Sequence, residues 1–177
     1  MKKLMFLAVV LIGALAFAQN LAFAQNLAFA QNKDKDQSQP KPDPWAGSWK
    51  LDAANSKLHG PPPKEETVKS EPTGPDGNIV KYSISGTTAD GKPSNESYDG
   101  KADGQPYPFI ANGQEVAKIS YHKDSDRQYT SQGTNADGST SSGTVTLSND
   151  GKTVTIKEHV KGTQGEYDQT IVYKKIS

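Results

Sequence analysis

The 177-residue chain contains no cysteine and a single arginine, Arg127. Without cysteine there is neither a disulfide framework nor the lipidated thiol of a bacterial lipoprotein. Long apolar runs are missing too. The apolar start is broken at Gln19-Asn20, Gln25-Asn26 and Gln31-Asn32, whereas a membrane span needs roughly 20 apolar residues in succession. Charge of one sign never accumulates, since 20 basic and 20 acidic residues alternate along the chain. The basic patch of a nucleic-acid binder is therefore absent, as is the polybasic segment that would draw a protein to a lipid surface. No nucleic-acid partner and no stable membrane insertion are expected.

The first segment of the chain instead reads as an export address. Lys2 and Lys3 form a charged start, and Leu4 to Ala14 form an apolar core of the length a signal peptide requires. Behind them, between Leu15 and Asn32, Leu-Ala-Phe-Ala-Gln-Asn occurs three times in tandem. Each copy carries Ala-Phe-Ala, a small-x-small site of the type signal peptidase cuts. Only the first site directly follows the apolar core, so cleavage is expected after Ala18, with Ala24 and Ala30 as alternatives. No arginine pair precedes the core, which favours Sec export over Tat. The expected location is periplasmic or extracellular. Loss of Lys2 and Lys3 would leave the mature chain with a net charge of about −2.

Residues 19–43, the repeat remnant followed by Lys-Asp-Lys-Asp-Gln-Ser-Gln-Pro-Lys-Pro-Asp, read as a disordered tether. Residues 44–177 read as one domain. They are poor in aliphatic residues, but seven tyrosines and two tryptophans supply large apolar surfaces for a thin core. Asp-Gly or Asn-Gly pairs recur at positions 76, 90, 99, 103, 112, 137 and 150. Such pairs accept the positive φ of tight turns. Between them the apolar residues alternate with period two, which marks an antiparallel all-β domain. The clearest hairpin spans Gly143 to Val160. Val145 and Leu147 face Val154, Ile156 and Val160 across a turn at Asn149-Asp150-Gly151, while the intervening Thr and Lys face outward. Further strands are expected at Ser48–Asp52, Glu65–Glu71, Asn78–Gly86, Ser94–Tyr98, Glu115–Tyr121, Arg127–Gln132 and Glu166–Lys175. So many short strands favour a closed barrel or a sandwich. Pro61-Pro62-Pro63 marks a rigid loop, since a sheet interior excludes proline.

Trp45-Ala-Gly-Ser-Trp49-Lys-Leu-Asp-Ala-Ala-Asn-Ser-Lys57, with its proline-rich continuation from His59 to Lys64, resembles the opening of small secreted bacterial lipocalin-like proteins. Ala89-Asp-Gly-Lys-Pro93, Tyr98-Asp-Gly-Lys101, Tyr107-Pro108, Gly143 to Ile156 and Ile171-Val-Tyr173-Lys174 extend the resemblance over nearly the whole domain. It implies an antiparallel lipocalin-like β-barrel of about 8–10 strands. It further implies that Trp49 closes one end, with Lys174 or Lys175 lying over its indole. The family's barrels take small apolar molecules, and most of its bacterial members have no assigned activity. The connection from Tyr98 to Tyr107 is longer than the family keeps.

Catalytic signatures are wanting. His59, His122 and His159 show neither zinc-finger nor His-Glu-x-x-His spacing. Asp124-Ser-Asp126 and Asp99 to Asp103 lack the ligand order of a calcium loop. There is no Gly-x-Ser-x-Gly elbow, and Ser139–Thr146 reads as a polar strand. Two carboxylates could meet in a barrel, as glycoside hydrolysis requires, but no spacing singles out a pair. Neither a metal nor a cofactor is expected. The most informative candidates are Trp49, Tyr82, Tyr107, Phe109, Tyr121, Tyr129, Tyr167 and Tyr173, which could line a ligand cavity. The plainer reading is that they fill a barrel short of Leu and Ile. An exported, non-catalytic binder of a small apolar or amphipathic ligand is the leading expectation. Its rival is an envelope interaction module with a filled barrel. A cavity of about 300 Å³ or more behind Trp49 would favour the binder.

Overall fold

The computed structural model describes residues 42–162 and 165–177. The signal segment, its three cleavage sites and the tether as far as residue 41 lie outside the described residues.

Ten strands follow one another: β1 (Gly47–Leu51), β2 (Glu65–Ser70), β3 (Ile79–Thr87), β4 (Pro93–Lys101), β5 (Tyr107–Ala111), β6 (Gln114–Ser125), β7 (Gln128–Asn135), β8 (Thr140–Leu147), β9 (Thr153–Gly162) and β10 (Gly165–Lys175). Each pairs antiparallel with its sequence neighbour, and β1 pairs with both β2 and β10, which closes the sheet into a barrel. Closure leaves no unpaired edge. A short 3₁₀ turn (Ala53–Asn55) follows β1. It is capped by Asp52, whose side chain accepts from the Asn55 N–H.

Alternation sets the strands' faces. On β4, Ser94, Glu96, Tyr98 and Gly100 are covered while Asn95, Ser97 and Asp99 between them are exposed. The β8–β9 hairpin has the expected register, with Val145 opposite Ile156 and Leu147 opposite Val154. At the β5–β6 turn, Asn112 and Gly113 take φ of 49° and 83°, the paired positive values of a two-residue I′ hairpin.

Two sequence expectations change. β5 falls where the sequence predicts no strand, because Pro108 interrupts the alternation and turn pairs crowd the preceding stretch. Asp99-Gly100 is not a turn: β4 runs through it to Lys101. Glycine is needed there for close approach. A Cβ on Gly100 would lie 2.7 Å from both the Tyr107 ring and the Tyr98 hydroxyl oxygen.

The buried cluster sits toward one end of the barrel. Trp45, Trp49, Ala102, Tyr129, Leu147, Val154 and Tyr173 form it, flanked by Leu51, Val68, Val80, Tyr121, Val145, Ile156 and Ile171. Aromatic rings thus replace the aliphatic bulk the sequence lacks. Toward the other end the inward positions are small or polar: Gly86 on β3, Gly133 on β7, Gly143 on β8, with Glu66 on β2 and Glu96 on β4.

Candidate functional site

β1 places Trp49 at the end where chain entry and exit meet. Its indole is buried and its N–H donates to the Trp45 carbonyl at 3.3 Å. Trp45 in turn stands edge-on to Tyr129 at 5.1 Å and donates its own indole N–H to the Asp126 carbonyl. Of the two lysines the resemblance offered, Lys175 is the one over Trp49, its Nζ 5.0 Å from the ring centre. Lys174, one position earlier on β10, points away and donates to Thr153 Oγ1 at 3.0 Å. Period-two alternation makes that choice between neighbours.

Bordering Trp45 and Trp49 and reaching into the barrel is a cavity of about 150 Å³, which falls short of the roughly 300 Å³ that would favour a binder. Val68 on β2, Val80, Tyr82 and Ile84 on β3, Tyr121 on β6 and Tyr129 on β7 form one part of its wall. Val145 on β8, Val154 and Ile156 on β9 and Tyr173 on β10 form the rest. Polar groups are confined to Ser70, Glu71, Thr73 and Lys81 and to the tyrosine hydroxyls. The exposed side chain of Ile79 also borders it.

The hydroxyls are arranged individually. Tyr129 donates to the Gly77 carbonyl at 2.8 Å, Tyr98 to the Ile119 carbonyl at 3.0 Å, and Tyr173 to the Glu66 carboxylate at 2.5 Å. Tyr82 and Tyr121 face each other, oxygen to oxygen, at 3.0 Å. Burial pushes Tyr121 and Tyr129 up to about 12, and Tyr82, Tyr98 and Tyr173 upward as well. All five are therefore neutral phenols at ordinary pH, able to donate a proton in a hydrogen bond. Burial also raises Glu66 above the usual carboxylate range, an effect the Tyr173 hydrogen bond partly offsets and the nearby Glu96 charge reinforces.

The eight aromatic candidates divide. Trp49, Tyr82, Tyr121, Tyr129 and Tyr173 come together around the cavity. Phe109 stands outside that wall, tilted against Tyr82 at 6.5 Å. Tyr107 meets Tyr98 edge-on at 6.4 Å and donates to Asp103. Tyr167, on β10, stacks on His59 at 3.7 Å. Sequence reasoning passed over Tyr98, the most enclosed ring of all at 1 % exposure, and Glu66. Both were signalled by alternation: Tyr98 shares a face with Glu96 and Gly100, and Glu66 shares one with Val68 and Ser70.

The histidines lie elsewhere. His159 is on the exposed face of β9, 2.9 Å from Asp168 and 3.5 Å from Glu166. His122 bridges to Asp103 through the backbone. Among the described residues no three His, Asp or Glu side chains gather as a metal site would need.

No protein-family model matches the chain, and no curated protein matches it. Solved structures do. One redesigned β-barrel, 11 % identical, covers 76 % of this chain and 93 % of its own with a TM-score of 0.46. A second redesigned β-barrel, bound to DFHBI, is 12 % identical over 75 % of this chain and 95 % of its own, with a TM-score of 0.42. A de novo fluorescence-activating β-barrel is 14 % identical over 74 % and 93 %, with a TM-score of 0.38.

Proposed function

We propose that the protein is an exported, non-catalytic binder of a small apolar or amphipathic molecule, held beside Trp49 inside a lipocalin-like barrel. The observation that carries this reading is the cavity of about 150 Å³ walled by Trp49, four tyrosines and seven aliphatic side chains. Its size sets the ligand. Drug-sized ligands occupy roughly 300–1,000 Å³, whereas an apolar cavity of about 150 Å³ admits a benzene-sized molecule. The ligand is thus a single ring or its aliphatic equivalent. Ring faces supply contact area at little loss of conformational freedom, and the hydroxyls supply orientation.

Native mass spectrometry of protein from its own compartment, together with fluorescence titration by one-ring compounds, tests this. A co-purifying small molecule, or saturable change in tryptophan emission, is expected. No adduct and no saturable change across the set would sink the reading. Export is supported by the basic start, the apolar core and the Ala-Phe-Ala sites at Ala18, Ala24 and Ala30. N-terminal sequencing of extracellular or periplasmic material should begin at Gln19, Gln25 or Gln31. Met1 retained there would refute it.

The second reading, an envelope interaction module, is favoured by one observation. Tyr82, Tyr98 and Tyr121 pack against one another at 5.1 to 5.5 Å and occupy much of the interior themselves.

A further inference from the structure

Proton bookkeeping among the tyrosines specifies the ligand further, resting on the binding role just proposed. Tyr98, Tyr129 and Tyr173 each deliver their O–H to a protein acceptor. Tyr82 and Tyr121 share one hydrogen bond between them. Two phenols hold two donor protons, and one bond consumes one. No described residue accepts the second. That O–H belongs to a part-buried pair lining the cavity, where the acceptor oxygen of a bound molecule can take it in place of water.

Charge narrows the acceptor. Lys81 is the one cation among the described lining residues, and it is paired with Glu71 at 3.6 Å and Asp99 at 3.3 Å. Opposing it, the charges of Glu66 and Glu96 reach the Tyr173 hydroxyl and that of Glu158 reaches Tyr121. Glu158 is itself held by Gln169 at 2.7 Å, and Glu66 by Tyr173. An anion placed at the tyrosine pair would face the charge of Glu158 beside Tyr121, with Glu66 and Glu96 further along at Tyr173, and no unpaired cation among the described lining residues.

We propose that the cavity selects a neutral one-ring molecule bearing a hydrogen-bond acceptor, a ring ketone being the simplest case, with its oxygen on the Tyr82–Tyr121 pair and its ring toward Trp49. Apolar walls bind the ring, and the spare phenol proton discriminates for the oxygen. The same field disfavours aromatic carboxylates.

Three probes of one shape test it on the full chain: acetophenone, α-methylstyrene, in which a methylene replaces the carbonyl oxygen, and benzoate. Dissociation constants come from calorimetry or tryptophan fluorescence. Acetophenone should bind about tenfold more tightly than α-methylstyrene, the net worth of one well-formed hydrogen bond. Benzoate should bind more weakly than acetophenone. In the double variant Y82F/Y121F the preference for acetophenone should vanish while α-methylstyrene still binds. Both tyrosines must be replaced, since either hydroxyl alone has a proton to offer. Equal binding of acetophenone and α-methylstyrene to the unaltered protein would overturn the proposal but leave the ring-binding role standing. Benzoate binding as well as acetophenone, or a preference that survives in a folded double variant, would also overturn it. Failure of all three probes to bind would overturn both readings together. The first comparison needs no variant, so it decides even if the double substitution does not fold.

Discussion

The Tyr173 hydroxyl donates to the Glu66 carboxylate at 2.5 Å inside the barrel, joining β10 to β2 across the intervening β1. The pair fixes Tyr173 as a wall of the cavity, and it leaves a carboxylate partly desolvated. Burial raises the Glu66 pKa above its ordinary 4.5, so the folded chain holds this proton more tightly than the unfolded chain. Stability linked to this group is therefore greatest below pH 4.5 and declines as pH rises through the raised value. Glu66→Gln keeps an acceptor for Tyr173 and removes the charge. Near neutral pH it should be more stable than the natural chain by a few tenths of a kcal/mol, a figure kept small by solvent screening at the barrel end. The gap should close in acid. Urea unfolding across the pH range checks this, and a gap that does not vary with pH would refute it.

Lys175 and Lys174 offer a comparison between adjacent residues. Lys175 lies over the Trp49 ring and donates to the Pro44 carbonyl at 3.2 Å, whereas Lys174 reaches only Thr153 on the exposed surface. Lys175→Met retains the aliphatic stem and loses the cation, and should destabilise by about 0.5–1 kcal/mol. Lys174→Met should stay within about 0.5 kcal/mol of the natural chain. Equal effects in denaturant unfolding would show that the cation over the indole contributes nothing.

Gly100 on β4 leaves no room for a side chain beside Tyr107 of β5. An alanine there places its methyl group against the Tyr107 ring and the Tyr98 hydroxyl, both at 2.7 Å. Tyr98 must then shift from the Ile119 carbonyl, and the stack of Tyr98 on Tyr82 shifts with it. Gly100→Ala should destabilise by about 1–3 kcal/mol, as overpacking of a filled interior does. It should also alter the near-ultraviolet circular dichroism of the tyrosines.

Strand existence was legible because period two is a local property: Val145 and Leu147 opposite Val154 and Ile156 needed only the residues between them. Barrel closure was not local. It rests on β1 pairing with both β2 and β10, whereas the number of short strands was compatible with a closed barrel or a sandwich alike. Among the candidate residues, the tyrosines were recognisable by type, but their destinations were set by register. Tyr167 and Tyr173 sit on one strand with the same alternation, yet Tyr173 reaches the cavity and Tyr167 lies six residues earlier, against His59. Glu66 was hidden for a different reason. A glutamate beside Glu65 and before Thr67 reads as exposed polar sequence, and its inward turn shows only once Val68 and Ser70 are known to share its face.

Asp43 supplies the counterpart to Glu66. Its carboxylate accepts from the Trp45 backbone N–H at 2.9 Å, and from the Thr73 N–H and hydroxyl at 2.6 Å each. These contacts pin the entry to β1 against the β2–β3 connection, beside the Trp45–Tyr129 pair. Burial would raise its pKa, but the hydrogen bonds from Thr73, Trp45 and Ala46 outweigh it and hold the carboxyl below its ordinary 3.8. The sign is thus opposite to that of Glu66: the stabilisation is complete above pH 3.8 and is lost as pH falls through the lowered value. Asp43→Asn turns an amide toward at least one of the donors that the carboxylate satisfies. It should cost about 1 kcal/mol near neutral pH, one net hydrogen bond in a partly solvated site. The difference should shrink toward zero in strong acid, where the natural carboxyl is protonated as well. The two variants should therefore show opposite trends, Glu66→Gln gaining on the natural chain as pH rises from acid and Asp43→Asn falling behind it. Parallel pH profiles for the two would refute both assignments.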